Sequence, residues 1–398
     1  MGNVLRTLAA VESHTAERRR LALDSAQLRE EVMGPLGEIG AFTNDEGLRI
    51  ATYYWPAPRS PKGIILLVHG QGSYLTFEYG RTVVIGGPKQ YQGSWVHAMN
   101  EAGYSVAGID HRGAGRSEGA FGLVDRFEGL VDDFCSFART LRAPGAPRGF
   151  GRGLPAFAVA CSLGGGVALA ASLREPSLFD GLVLLAPMLS LESAKRAGAN
   201  PVLVPISHIL AAVAPGLPVV ATRSNPKFPE LAAEWAADAC TYSFPTRLGT
   251  ASQLMRACDG LVPRLGGVTV PFIAFHSEND TMTDPEGSKL LHALAKVEDK
   301  TLRLVNSMWH VLTREPGNEA LLAEAIAWMD ARAAPPRPAA AAPAPVLAPA
   351  RAPAALRPAA APAAAAAAAA GAAFAPAVVS RVVVAAPAAQ PVAVAVTA

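Results

Sequence analysis

Apolar runs without polar alternation recur along the middle of the chain, at Ile64–Val68, Ser105–Ile109, Phe157–Cys161, Leu182–Leu185, Phe272–Phe275 and Leu302–Val305. Short runs of this kind, rich in β-branched and aromatic residues, predict strands buried on both faces of a mostly parallel sheet. Helical patterns lie between them. Leu163–Leu173 and Leu290–Ala295 are two, and Asp284 followed by Pro285 makes a cap and first-turn pair for the second. Strand, helix, strand repetition predicts an α/β, doubly wound fold with helices on both faces of the sheet.

One interval breaks the rhythm. Residues 188–266 separate the strand ending at Ala186 from the one starting near Val270, too long for a plain connection, so a cap insertion with its own structure is expected there. Its apolar stretch Pro205–Pro215, with Ile206, Ile209, Leu210 and Val213, reads in two ways. It is either a cover lying over a pocket and resting on a membrane surface, or an ordinary buried helix.

The ends differ from the middle. Residues 1–47 read as an N-terminal helical extension, helix-compatible around Glu17–Val32, ahead of an α/β domain over 48–332. Residues 333–398 are almost wholly Ala, Pro and Val with no acidic residue. Closely spaced Pro blocks a continuous helix and Ala buries too little surface to offset chain entropy, so this Ala/Pro-rich tail is expected to be disordered. A membrane span within it is disfavoured, because the uncharged stretch 366–379 is broken by Pro376 and followed by Arg381.

Composition narrows the function classes. Hydrophobic residues make up 51% of the chain and charged ones 17%, which suits a large core. A net charge of +2 without a Lys/Arg stripe argues against nucleic acid as a partner. The cysteines, Cys135, Cys161, Cys240 and Cys258, form no CxxC pair and no cluster with His, as expected of reduced thiols rather than disulfides or a zinc site. Arg6 and Arg18–Arg20 interrupt any secretory signal, and Arg6 stands where N-myristoylation wants Ser or Thr. The expected location is intracellular, cytoplasmic or peripherally membrane-associated.

The strongest chemical signal is Ala160-Cys161-Ser162-Leu163-Gly164-Gly165-Gly166, directly after a strand and directly before a helix. A nucleophile elbow needs that context: small residues two before and two after the serine let the chain turn sharply and present the hydroxyl above the sheet edge. Ser117-Glu118-Gly119 carries the same Ser-x-Gly spacing but sits in a glycine-rich turn with no helix behind it. A serine hydroxyl needs a base, and the base an acid to orient it. In the chain order Ser, acid, His, the acid follows a later strand and the histidine the last one. Asp280, in the segment 276–280, and His310 hold those places. Glu278 and Asp284 compete with Asp280, but Asp284 is better explained as a helix cap. The oxyanion of a tetrahedral intermediate needs two backbone donors, expected from the N–H groups of Gln71 and Leu163. His69, at the end of an early strand, reads as structural.

With these residues in view the chain resembles the monoacylglycerol lipase and lysophospholipase family of serine hydrolases, within the serine aminopeptidase-like superfamily. The likeness covers roughly residues 45–330 and rests on His69-Gly70, the turn Asp110–Gly119, Ser162, Asp280 and Trp309-His310, with Val131-Asp132-Asp133 and Arg247-Leu248-Gly249-Thr250 in support. It implies an α/β-hydrolase fold, a structural role for Asp110, and acyl transfer from a lipid ester onto Ser162 without a metal or organic cofactor. Two features depart from the pattern. Ala160, Cys161 and Leu163 replace residues of the usual Gly-His-Ser-Met-Gly, and the loop from His69 to Trp95 is long, ending in Gly93-Ser94-Trp95 as in lysophospholipase-like proteins of protists. Thioesterase, peptidase or acyltransferase activity would use the same triad, and a catalytically silent ligand-binding homologue would keep the fold alone. A dehalogenase or epoxide hydrolase would need an acid where Ser162 stands.

Overall fold

A computed structural model describes residues 6–13, 26–151, 153–196, 200–220 and 225–333, all within the unit Met1–Ala339. The Ala/Pro-rich tail from residue 334 and residues 14–25 of the N-terminal extension lie outside the described residues.

The extension is not purely helical. After α1 (residues 6–13) and α2 (Ala26–Met33) comes β1 (Glu38–Thr43), which pairs antiparallel with β2 (Arg49–Trp55) across the turn at residues 44–48. The folded domain therefore begins before residue 48. β1 is an edge strand whose residues are all exposed or half-buried, so it carries no continuous apolar run to announce it.

The chain continues through β3 (Gly63–Val68), α3 (Leu75–Tyr79), α4 (Trp95–Glu101), β4 (Tyr104–Ile109), α5 (Phe127–Arg142), β5 (Ala156–Cys161), α6 (Leu163–Arg174) and β6 (Gly181–Leu185). The cap follows: α7 (Glu192–Arg196), α8 (Asn200–Val213), β7 (Pro218–Val220), α9 (Pro229–Ala237), β8 (Thr246–Arg247) and α10 (Leu248–Leu261). β9 (Phe272–Ser277), α11 (Pro285–Leu294), β10 (Lys300–Val305) and α12 (Asn318–Asp330) complete the domain. The eight-stranded sheet runs β1-β2-β4-β3-β5-β6-β9-β10, parallel from β4 onward.

Every residue of β3, β4, β5, β6 and β9 is buried, because apolar layers cover both faces. Phe134, Phe137 and Leu169 from α5 and α6 pack on one face, and Met33, Met99 and Trp328 from α2, α4 and α12 on the other. The four cysteines are buried and unpaired with one another.

The Asp110–Gly119 turn is framework. Asp110 accepts hydrogen bonds from the Tyr53 hydroxyl (2.7 Å), the Leu75 amide (2.8 Å) and the Arg116 amide (2.7 Å). Ser117 donates to the Asp110 carbonyl and accepts from the Ala51 amide, so its hydroxyl is spent inside the turn. Arg112 makes a bidentate pair with Asp133 of α5 (2.9 and 3.0 Å), both side chains almost fully buried. Asn44 and Glu46, in the turn between β1 and β2, join the same pair. Asp284 stands at the N-cap position of α11 but does not cap it. Its Oδ2 accepts instead from the Ser190 hydroxyl (3.1 Å) and the Ser193 amide (2.9 Å), tying the start of the cap insertion to the main domain.

Removing one member of a buried ion pair strands the other charge. Asp133→Ala is expected to lower the unfolding free energy by about 3 kcal/mol, toward the low end because Glu46 still reaches Arg112. Urea denaturation of the full chain measures it; a loss under about 1 kcal/mol would show that the pair is not a structural anchor.

Candidate active site

At the end of β5 the chain reverses into α6 through Ser162, whose φ of 51° lies in the region L-residues rarely adopt. Hydrogen bonds hold it there: its amide donates to the Leu185 carbonyl (2.9 Å), and its carbonyl accepts from the amides of Gly165 (2.9 Å) and Met188 (2.8 Å). Gly164 is obligatory, since a Cβ there would lie 2.5 Å from the Val68 carbonyl oxygen and 2.7 Å from that of His69. Two residues before the serine the constraint is looser, and Ala160 fits fully buried in β5.

The turn aims Ser162 at the loop after β10. Ser162 Oγ lies 3.1 Å from His310 Nε2, across a sequence separation of 148 residues. On the far side His310 Nδ1 is 2.7 Å from Asp280 Oδ2 and donates to it. Asp280 is fixed in turn by the amides of Met282 (2.7 Å) and Thr283 (3.1 Å) and by the Thr283 hydroxyl (2.9 Å). Glu278, the alternative acid, is exposed to solvent, whereas Asp280 is buried. The sequence-based candidates Ser162, Asp280 and His310 thus meet in one hydrogen-bonded line.

Burial works against the Asp280 charge, but His310 and the hydrogen bonds from His276 and His310 outweigh it, holding the carboxyl well below the usual carboxylate range. Burial likewise opposes the His310 cation, and Asp280 overcomes it, so the imidazole titrates above its ordinary 6.5. His276 was not among the sequence candidates. It is fully buried at the end of β9 with Nε2 3.2 Å from Asp280 Oδ2 and Nδ1 2.7 Å from the Ser288 hydroxyl. In sequence it is one more residue of a strand end, with no spacing to mark it.

His69 has no free nitrogen for proton transfer. Nδ1 donates to the Gly70 carbonyl (2.8 Å), Nε2 accepts from the His111 amide (2.9 Å), and burial lowers its pKa to about 4. It braces the Gly70–Gly72 turn, which passes so close to the serine that a Cβ on Gly70 would sit 3.3 Å from Ser162 Cβ. Gln71 and Leu163, the expected backbone donors, line one cavity together with His111, Phe121, Leu123 and Tyr242. The Leu163 amide, at the first position of α6, has no acceptor inside the helix. His111 presents a neutral ring to this cavity: burial and the neighbouring His69 push its pKa well down, and neither ring nitrogen has a partner among the described residues.

The apolar stretch of the cap departs from one of its two expected forms. Ile206, Ile209, Leu210 and Val213 of α8 are 47%, 71%, 52% and 83% exposed, so this stripe is not the inward face of a buried helix. Among the described residues no helix is long and apolar enough to cross a membrane.

Comparison with known proteins agrees with this architecture. The family model Hydrolase_4, serine aminopeptidase S33, matches residues 59–317. Over 294 residues the chain is 26% identical to the monoacylglycerol lipase of Mycolicibacterium smegmatis, covering 73% of this chain and 95% of that one. Over 297 residues it is 27% identical to the caffeoylshikimate esterase of Arabidopsis thaliana, covering 73% and 84%. The solved structure of a soluble variant of monoglyceride lipase from Saccharomyces cerevisiae, in complex with a substrate analogue, superposes with a TM-score of 0.61 at 19% identity over 76% and 97% of the two chains. At that identity the superposition speaks for the fold.

A base must be neutral to accept a proton, so a raised His310 pKa moves the acid limb of serine reactivity upward. Labelling of Ser162 by a fluorophosphonate is expected to fall as pH drops through a midpoint above the ordinary 6.5. Asp280→Asn should move that midpoint down and slow labelling by about 10⁴-fold. A wild-type midpoint at or below 6.5 would contradict the coupling to Asp280.

Proposed function

The chain belongs to the Hydrolase_4 (serine aminopeptidase, S33) family and is a carboxylic ester hydrolase, and from that premise we propose that it cleaves a lipid ester of monoacylglycerol or lysophospholipid type through an acyl-enzyme on Ser162. The observation that carries this reading is the line from Ser162 Oγ to His310 Nε2 (3.1 Å) and from His310 Nδ1 to Asp280 (2.7 Å), set at a strand-to-helix elbow.

In this mechanism Ser162 Oγ attacks the ester carbonyl while His310 Nε2 takes its proton. The Asp280 carboxylate, ionised across the working pH range, stabilises the imidazolium. The amides of Gln71 and Leu163 receive the oxyanion, each donor contributing about 10²–10³ in rate. Collapse of the intermediate expels the alcohol, which leaves with the proton from His310. Water then enters, His310 removes a proton from it, and its attack on the acyl-enzyme releases the carboxylic acid and restores Ser162.

The cavity beside Gln71 and Leu163, walled by Phe121, Leu123, Tyr242 and the neutral ring of His111, favours an apolar acyl chain beside the reacting carbonyl, which both ester types carry. Exposed Ile206, Ile209, Leu210 and Val213, spaced to form one stripe along α8, support contact of the cap with a lipid surface. The named activities of the lipases similar to this chain point the same way. The likeness to caffeoylshikimate esterase supports a second reading, an ester of an aromatic acid, in the same active site.

Wild type and Ser162→Ala are to be compared on monoacylglycerols, lysophospholipids, p-nitrophenyl esters and caffeoyl esters. The expected result is hydrolysis of a monoacylglycerol or lysophospholipid by wild type and a loss of about 10⁶-fold in kcat in the variant. Turnover of caffeoyl esters alone would transfer the substrate class to the second reading. A wild type inert toward every ester and unlabelled by fluorophosphonate would sink the mechanism.

A further inference from the structure

Beyond His310 the chain makes a turn that leads to α12, and in it stands a carboxylate that the mechanism above does not use. Glu315 is 0% exposed. Its neighbour Arg314 does not neutralise it but reaches Glu234 of α9 and the Phe77 carbonyl. Among the described residues no cation is paired with Glu315; its donors are all neutral. Oε1 accepts from the amides of His310 (3.0 Å) and Val311 (2.9 Å), and Oε2 accepts from the amide of Trp309. The fourth donor comes from the cap: Asn225 Nδ2 reaches Oε1 at 2.9 Å.

Three consecutive amides pointed at one anion make a backbone nest, and here the middle residue of the nest is the proposed base. The arrangement sets the backbone on both sides of His310, whose ring has to meet Asp280 and Ser162 together. It also requires an anion. Both carboxylate oxygens accept, whereas a glutamine in the same place would turn an NH₂ donor against one of the amide donors. Asn225 serves two ends: while its Nδ2 holds Glu315, its Oδ1 accepts from the amides of Lys227 (3.0 Å) and Phe228 (2.8 Å) at the entry to α9.

We propose that Glu315 is a positioning residue for His310, an anion gripped by the amides of residues 309–311 that holds the base in line with Ser162 and, through Asn225, makes the cap part of that setting. The inference deepens the hydrolase reading and rests on it. The charge of Glu315 also adds to the factors that raise the His310 pKa, behind Asp280 and Glu78.

The test uses the full-length chain. The ionisation of His310 is followed by NMR of ¹⁵N-labelled histidine, and kcat and KM are measured on a p-nitrophenyl ester, for wild type, Glu315→Gln, Glu315→Asp and Asn225→Ala. Thermal melts identify the variants that fold. In folded Glu315→Gln the His310 midpoint is expected to fall by about half a pH unit. Its kcat should drop about tenfold or more with KM within about twofold, and Glu315→Asp should recover part of the loss. A folded Glu315→Gln with the wild-type midpoint and kcat, or a loss confined to KM, overturns the proposal. If Glu315→Gln does not fold, Asn225→Ala decides: a fall in kcat of about threefold at constant KM supports the link, and unchanged kcat overturns it. The midpoint is read from the ring itself, so a wild type inert toward esters would defeat the hydrolase reading while a shifted midpoint in Glu315→Gln still upheld the anchoring.

Discussion

The site depends on one tight contact, the approach of the first turn of α6 to the end of β3. Ser162 adopts a backbone conformation that costs about 1–3 kcal/mol for a non-glycine residue. It is held because Gly164 lets α6 lie directly against the carbonyls of Val68 and His69. That closeness brings the Gly70–Gly72 turn beside the serine and sets the Leu163 amide next to it. His69, with both nitrogens bound to backbone, keeps the turn from relaxing. The setting of Ser162, the neighbouring amides and the cavity wall are thus consequences of one close packing contact at the centre of the sheet.

Most of this frame is legible in the amino-acid sequence, and the reason is burial. Strands covered on both faces are apolar at every position, so β3, β4, β5, β6 and β9 stand out as unbroken runs. β1 has partly exposed residues throughout, so it merges with the extension around it. Asp284 misleads for a different cause: its position matches a helix cap, but its carboxylate finds better partners in Ser190 and Ser193, far away in the chain.

The line of Ser162, His310 and Asp280 was legible because chain order and strand ends constrain where a base and acid can stand. The residues that support it were not. His276 and Glu315 act through geometry that only folding creates: one lies behind Asp280, the other gathers three amides and a cap side chain. No periodicity or spacing records the convergence of backbone donors on a carboxylate. The exposed stripe of α8 was ambiguous for a similar reason, since four aliphatic residues at helical spacing look alike whether they face a core or water.

The anchoring of the β1–β2 turn to α5 has a further consequence for how the chain matures. Asn44 bonds to Asp133 across a separation of 89 residues, and Glu46 meets Arg112 in the same cluster. During synthesis the turn is made before its partners, Arg112 after β4 and Asp133 in the first half of α5. Contacts of such long range form slowly. β1 and β2 therefore reach their final setting only once the chain through the first half of α5 is available, and until then their unpaired edges are open to wrong pairings.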